Sequence, residues 1–229
     1  MRIKNPFNDL TKFEMMLWIA SVVVVIGSFV LSKGGDYMTL IASLIGVTAL
    51  IFVAKGYVLG QVLTVVFALF YGIISFYFRY YGEMLTYVCM TAPIAIMAVI
   101  SWIKHPFEET SEVEIRRMHR HEVFVMCVIA LVVTVIFYFV LKFFNTANLV
   151  FSTISVTTSF LACFLTYMRN PFYALAYAAN DIVLIVLWVL ASCENISYLP
   201  MVFCFIMFFA NDVYGFVNWR KMEKRQGGE

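Results

Sequence analysis

The chain has 229 residues, of which 63% are hydrophobic and 13% charged, and its formal net charge is +2. Soluble domains carry roughly 45–50% apolar and about 25% charged residues, so this composition indicates an integral membrane protein with little chain left for a soluble domain. The sequence contains no G-x-x-x-x-G-K-[ST], H-E-x-x-H or G-x-S-x-G motif. We therefore expect neither an enzyme nor a bound cofactor.

Eight mostly apolar runs follow one another along the chain. Each is close to the roughly 20 residues that a helix needs to span a bilayer, and about twice the length of a membrane β-strand. The predicted spans are 14–31, 38–54, 57–78, 83–103, 122–141, 149–168, 172–192 and 199–219. The predicted fold class is all-α, with eight transmembrane helices.

Basic residues are distributed unevenly between the two sides of this topology. One side carries only Lys33, Arg79 and Lys142, which leaves 13 of the 16 Lys and Arg residues on the side of the chain termini. By the positive-inside rule, this pattern predicts a multi-pass protein of the plasma (inner) membrane with both termini in the cytoplasm. Because the basic residues follow a membrane face, no nucleic-acid partner is expected.

The connection between spans four and five is polar, and its acidic residues precede its basic ones. Such an order suits a short helix capped by Thr110 or Ser111, since the charges would complement the helix dipole. His119 and His121 lie in the same segment, but side chains two positions apart on a helix point in different directions. No metal site is predicted there.

Sliding the chain against itself by 117 residues pairs Tyr71 with Trp188 and Trp102 with Trp219, among other matches. We interpret this as two three-helix units, spans two to four and six to eight, joined by span five; chance similarity between aromatic-rich segments is the alternative. Four crossings separate equivalent points, so the two units would be parallel. The predicted divisions are an N-terminal tail and extra helix (1–37), the first unit (38–103), a connection and linker helix (104–148), the second unit (149–220) and a tail (221–229).

Polar side chains interrupt the last two spans, with Asn180 and Asp181 in span seven and Asn211 and Asp212 in span eight. At membrane depth such groups are costly and nearly always face a bundle interior or a wet cavity. This placement predicts a path for a solute. The candidate solute-binding residues are Gln61, Tyr177, Asn180, Asp181, Trp188, Asn211 and Tyr214.

Amides and aromatic rings suit a flat polar solute, because the rings stack on its faces while the amides both donate and accept hydrogen bonds. We expect Asn180 and Asn211 to face one aqueous chamber between the last two spans. Three roles stay open for Asp181 and Asp212: carrying a coupling proton, contacting hydroxyls or a positive ring of the solute, or hydrogen-bonding another helix.

The last span reads Asn-Asp-x-Tyr-Gly-Phe-x-Asn-Trp-Arg at positions 211–220, and Asn-Pro-Phe at 170–172 opens the span that contains Asn180. These motifs and the eight-span layout resemble the Pnu-type vitamin transporters. The resemblance implies two three-helix bundles with a linking helix, as in the SWEET sugar facilitators, and an assembly that is often trimeric. It also implies facilitated diffusion of a nucleoside-like vitamin precursor, which a cytoplasmic kinase traps by phosphorylation.

Nicotinamide riboside is the solute that the resemblance favours, with a deoxynucleoside, thiamine or riboflavin as alternatives and a proton-coupled mechanism through Asp181 and Asp212 as another. One position departs from the family pattern. Members that carry nicotinamide riboside are expected to have a tryptophan one helical turn before the asparagine of span seven, where this chain has Ala176.

Overall fold

The computed structural model describes residues 6–31, 37–77, 80–108, 110–146 and 148–227. Within these ranges, eight helices are long and apolar enough to cross a membrane. They are α1 (Lys12–Leu31), α2 (Tyr37–Ala54), α3 (Val58–Tyr77), α4 (Tyr81–Lys104), α5 (Arg120–Phe143), α6 (Leu149–Tyr167), α7 (Tyr173–Glu194) and α8 (Leu199–Gln226). The prediction of an all-α protein with eight membrane-spanning helices is confirmed.

The helices pack in two groups of three. The middle helix α3 packs against α2 and α4, and α7 packs against α6 and α8. The first helix of each group also contacts the third helix of the other, since α2 packs against α8 and α6 against α4. Outside these groups, α1 lies against α2 and α8, while α5 lies against α6 and exposes apolar residues such as Phe124, Leu131 and Phe139.

Helix α4 changes its winding partway along. Tyr81–Leu85 and Ala92–Lys104 are α-helical, whereas Thr86–Thr91 form a π-helical turn. Pro93 follows this turn. In a regular α-helix a proline ring clashes with the carbonyl four residues earlier, and the wider π turn relieves that crowding.

Helices α2 and α6 end in the same kind of turn, at Gly56 (φ 71°) and Arg169 (φ 58°). In the first turn the N–H of Tyr57 donates to the carbonyl of Phe52 at 2.9 Å. In the second turn the N–H of Asn170 donates to the carbonyl of Leu165 at 3.0 Å. This left-handed closure satisfies carbonyls that a helix end leaves unpaired.

The predicted short helix near Thr110 and Ser111 is wrong within the described residues 105–108 and 110–119. The backbone of this connection bonds to the two helix-end turns instead. The N–H of Val113 donates to the carbonyl of Gly56 at 2.9 Å, and that of Arg116 to the carbonyl of Arg169 at 3.0 Å. In a helix these N–H groups would donate to carbonyls of the same segment, whereas here they donate to the ends of α2 and α6.

Helix α8 continues past the predicted end of its span at Trp219 and reaches Gln226. The extension contacts the α4–α5 connection: Arg117 pairs with Glu223 at 2.9 Å, and the side chain of Gln226 accepts the N–H of Ile115 at 2.7 Å. The charged residues after Trp219 therefore belong to the same helix and hold the connection in place.

Candidate functional site

A cavity of about 50 Å³ lies inside the bundle, bordered by α2, α3 and α4 on one side and by α7 and α8 on the other. One water molecule needs roughly 10–15 Å³ on this scale, so the cavity has room for a few waters, and a nucleoside-sized solute requires the helices to move apart. Its polar lining consists of Gln61, Thr64, Tyr87, Thr91, Tyr177, Asn180, Asp181 and Asp212.

The amide of Asn180 is fixed by hydroxyl groups from α6. Its Oδ1 atom accepts hydrogen bonds from Thr158 at 2.8 Å, Ser159 at 3.1 Å and Ser155 at 3.4 Å. Helical spacing brings these hydroxyls to neighbouring positions on one side of α6. The three donors saturate the carbonyl oxygen, which leaves the amide nitrogen as the group with capacity for a solute.

Two carboxyl groups meet across α7 and α8. The side chains of Asp181 and Asp212 are each 3% exposed and lie within hydrogen-bonding distance of each other. An ionised carboxylate only accepts hydrogen bonds, so a bond between two carboxyl groups requires a proton on one of them. The pair joins two helices and also borders the cavity. Its role toward a solute stays a prediction.

The walls of the cavity are largely aromatic and aliphatic. The hydroxyl of Tyr177 lies 3.3 Å from the sulfur of Cys163, and the ring of Tyr87 meets Phe67 edge-on at 6.0 Å between centroids. Phe208 contributes a further ring from α8. A flat solute would therefore have stacking surfaces on several sides.

Four of the seven predicted site residues line this cavity: Gln61, Tyr177, Asn180 and Asp181. Trp188 lines a second cavity of about 10 Å³ and donates its indole N–H to Tyr71 at 3.1 Å. The remaining two, Asn211 and Tyr214, are not among the described lining residues of either cavity.

Asn211 and Tyr214 are directed toward α1. The Nδ2 atom of Asn211 donates to Ser21 at 3.0 Å, and the hydroxyl of Tyr214 donates to Glu14 at 2.8 Å. The prediction that Asn180 and Asn211 face one chamber is therefore corrected. Successive residues of a helix are rotated by about 100°, so Asp212 faces the cavity and Asn211 faces away from it. Solute contact by Asn211, Tyr214 and Trp188 stays a prediction.

The sequence interpretation missed several lining residues, among them Gly46, Tyr87, Thr91 and Phe208. A signal existed for two of them, because Pro93 marks the π turn that carries Tyr87 and Thr91. Ala176 is partly buried beside the cluster around Trp102 and Trp219 and is not among the described lining residues. Within the described ranges, no group of three or more His, Cys, Asp or Glu side chains is placed to hold a metal ion.

A mainly apolar cavity with a few converging polar side chains, between two groups of membrane-spanning helices, is the architecture of a solute transporter. The chain belongs to the nicotinamide mononucleotide transporter family, whose sequence profile matches residues 36–221. This confirms both the predicted family and the class of protein.

Two known proteins are similar to the chain over nearly its whole length. The nicotinamide riboside transporter PnuC of Neisseria mucosa is 25% identical over 236 aligned residues, which cover 99% of this chain and 88% of the relative. The crystal structure of the vitamin B3 transporter PnuC has a TM-score of 0.83 at 24% identity and covers 96% of each chain. The two chains thus share a fold.

Proposed function

We propose that this protein carries nicotinamide riboside across the plasma membrane by facilitated diffusion. The supporting observation is the cavity between the two helix groups, in which an anchored amide, aromatic rings and two carboxyl groups converge. Its size implies a closed conformation that opens alternately to the two sides. The charge distribution supports an orientation with both termini in the cytoplasm.

The charge of the lining favours the riboside over its phosphorylated form. The nicotinamide ring of the riboside is a pyridinium cation, and the cavity contains Asp181 and Asp212 but no Lys or Arg among its described lining residues. Phosphate groups are normally held by Arg or Lys side chains. The mononucleotide of the family's description would bring its phosphate to two carboxyl groups, so we propose the riboside as the solute.

The carboxamide of the solute has a matching partner in Asn180. Because three hydroxyls occupy Oδ1, the Nδ2 group donates to the carbonyl oxygen of the solute's carboxamide. Gln61, which is 2% exposed, provides a second amide from the opposite helix group, and Tyr177 provides a stacking surface. In this proposal the solute bridges the two groups of helices.

Binding measurements test the solute directly. Isothermal titration calorimetry on detergent-purified protein would compare nicotinamide riboside with nicotinamide mononucleotide, thiamine, riboflavin and a deoxynucleoside. We expect the riboside to bind most tightly and the mononucleotide far more weakly. Tighter binding of thiamine, riboflavin or a deoxynucleoside would replace the proposed solute with that compound. The trimeric assembly and the partnership with a phosphorylating kinase stay predictions from the resemblance.

A further inference from the structure

The second cavity lies at the end of the bundle opposite the chain termini. It is lined by Tyr80, Glu83, Thr146, Ser152, Leu184, Leu187 and Trp188. Tyr80 directly precedes α4, Thr146 precedes α6, and Trp188 lies in the last third of α7. We call it the Glu83 cavity. In the proposed orientation it lies on the extracytoplasmic side of the central cavity.

Two polar atoms in the Glu83 cavity are buried without a hydrogen-bond partner. Glu83 is 5% exposed, and its Oε2 atom has no partner; the Oγ1 atom of Thr146 is in the same situation. The other carboxylate oxygen accepts only a long hydrogen bond, 3.4 Å from Ser155. No described Lys, Arg or His forms an ion pair with Glu83. A buried carboxyl group without partners destabilises the fold unless it binds a ligand or is protonated.

Aromatic rings stand beside this carboxyl group. Tyr80 and Trp188 meet edge-on with 5.1 Å between ring centroids, and Tyr198 lies 5.9 Å from Trp188. Faces of tyrosine and tryptophan rings attract cations, and the attraction grows when water is excluded. A cavity lined by a carboxylate and such rings is chemically suited to a planar ring that carries a positive charge.

We propose that the Glu83 cavity is an outer subsite for the positively charged ring of the solute, with Glu83 as its counter-charge and Tyr80 and Trp188 as its walls. This inference rests on the proposed function and deepens it. At about 10 Å³ the cavity is at the lower limit of the space that one water molecule needs, so the solute does not fit in the present conformation. The solute enters the subsite when the rings of Tyr80 and Trp188 separate.

The Glu83 cavity adjoins the central one through a single hydroxyl. The hydroxyl oxygen of Ser155 lies 3.4 Å from both Glu83 and Asn180, and its one hydrogen can point to either of them. Between the two cavities, Trp188 also donates to Tyr71, and this bond is buried. In this proposal the ring of the solute first contacts Glu83. When the Trp188–Tyr71 hydrogen bond breaks, the solute moves inward and contacts Asn180.

The test compares two solutes that differ in ring charge. Nicotinamide riboside has a cationic ring, whereas its reduced dihydropyridine form keeps the ribose and carboxamide but is uncharged. Uptake of both is measured in liposomes with the parent protein, with Glu83→Gln and with the control Glu108→Gln, which removes an exposed carboxylate at the other end of the bundle. A ratio of two solutes on one preparation is independent of how much protein folds.

We expect Glu83→Gln to lower the preference for the cationic form by about tenfold, as for loss of one buried charge contact, and Glu108→Gln to leave the preference unchanged. Glu83→Asp, which keeps the charge, should restore part of the preference. Equal loss for both solutes, or no loss for either, would overturn the subsite and leave the proposed function intact. No uptake of nicotinamide riboside by the parent protein would overturn both.

Discussion

Trp102 and Trp219, which are 117 positions apart in the sequence, lie with their ring centroids 5.4 Å apart. Each indole N–H crosses to the other helix group. Trp102 donates to the carbonyl of Thr166 at the end of α6 at 3.0 Å, and Trp219 donates to the carbonyl of Val53 at the end of α2 at 2.9 Å. The two tryptophans thus make reciprocal contacts at the end of the bundle that carries the termini.

A second pair with the same separation, Tyr71 and Trp188, is hydrogen-bonded on the other side of the central cavity. Residues related by a twofold axis touch each other only close to that axis. The parallel repeat stays a prediction, and an approximate twofold axis through both pairs would account for these contacts. The central cavity would then lie on the axis, between two contacts that open in turn.

The first prediction concerns the reciprocal indole bonds. Trp102→Phe and Trp219→Phe keep an aromatic ring but remove one buried hydrogen bond each, which should cost about 0.5–1.5 kcal/mol of stability per variant. The loss stays moderate because the carbonyls of Thr166 and Val53 keep their bonds from backbone N–H groups. Chemical denaturation in detergent measures the loss. Trp18→Phe is the matched control, because its half-buried indole donates to Thr48 between α1 and α2 and does not join the two helix groups. A control loss as large as the others would argue against the special role of the pair.

The second prediction concerns the amide at the centre of the site. Asn180→Leu removes the anchored donor and should weaken binding of nicotinamide riboside by about 1–3 kcal/mol, roughly 5- to 150-fold. Asn211→Ala tests the prediction from sequence that Asn211 contacts the solute. Because Asn211 is bonded to Ser21, we expect stability to fall and affinity to stay within about twofold. Calorimetry that shows the opposite order would place Asn211 in the pocket and Asn180 outside it.

The third prediction separates the structural and electrostatic roles of the two carboxyl groups. In Asp212→Asn the amide can still donate to Asp181, so the fold should be retained. In Asp212→Leu, Asp181 loses its partner in a buried position, and we expect a loss of about 1–3 kcal/mol. Thermal unfolding in detergent distinguishes the two variants. Equal stability would mean that the Asp181–Asp212 contact does not hold α7 and α8 together.

The fourth prediction concerns the space that Gly46 leaves beside the cavity. A Cβ atom there would lie 2.3 Å from Cζ of Phe208, so the ring must move or α2 and α8 must separate. Overpacking of this kind costs about 1–3 kcal/mol. Gly46→Ala should therefore lower both stability and the rate of riboside uptake.

Gly27 provides the matched control for that substitution. It lies in α1, and a Cβ atom at this position would have nothing within 4 Å. Gly27→Ala should leave uptake unchanged and add slight helix stability. If Gly46→Ala also leaves both quantities unchanged, the contact with Phe208 does not limit the cavity.

The length of the apolar runs was sufficient to predict the eight spans, because a bilayer requires helices of nearly fixed length. The end of α8 was misplaced because charged residues after Trp219 suggest a tail. In the fold, Glu223 and Gln226 bond to the α4–α5 connection and extend the helix. Such contacts between distant segments leave no periodic signal.

The candidate site was predicted in part. Polarity at membrane depth was enough to find Gln61, Asn180 and Asp181, since a buried amide or carboxyl group needs a partner or a cavity. Polarity alone did not distinguish Asn211, which donates a hydrogen bond to Ser21 of α1, from Asp212, which faces the cavity. Glu83 was interpreted only as the start of a span, and its burial, with the Oε2 atom left without a partner, became visible only in the fold.

Uptake of labelled nicotinamide riboside into liposomes that contain the purified protein tests the central claim most directly. Without ion gradients, we expect the internal concentration to rise to the external one and stop there, faster than in protein-free liposomes and far more slowly with Asn180→Leu. An imposed proton gradient should leave the final level unchanged. Uptake no faster than in protein-free liposomes, or accumulation above the external concentration under the proton gradient, would contradict facilitated diffusion of this solute.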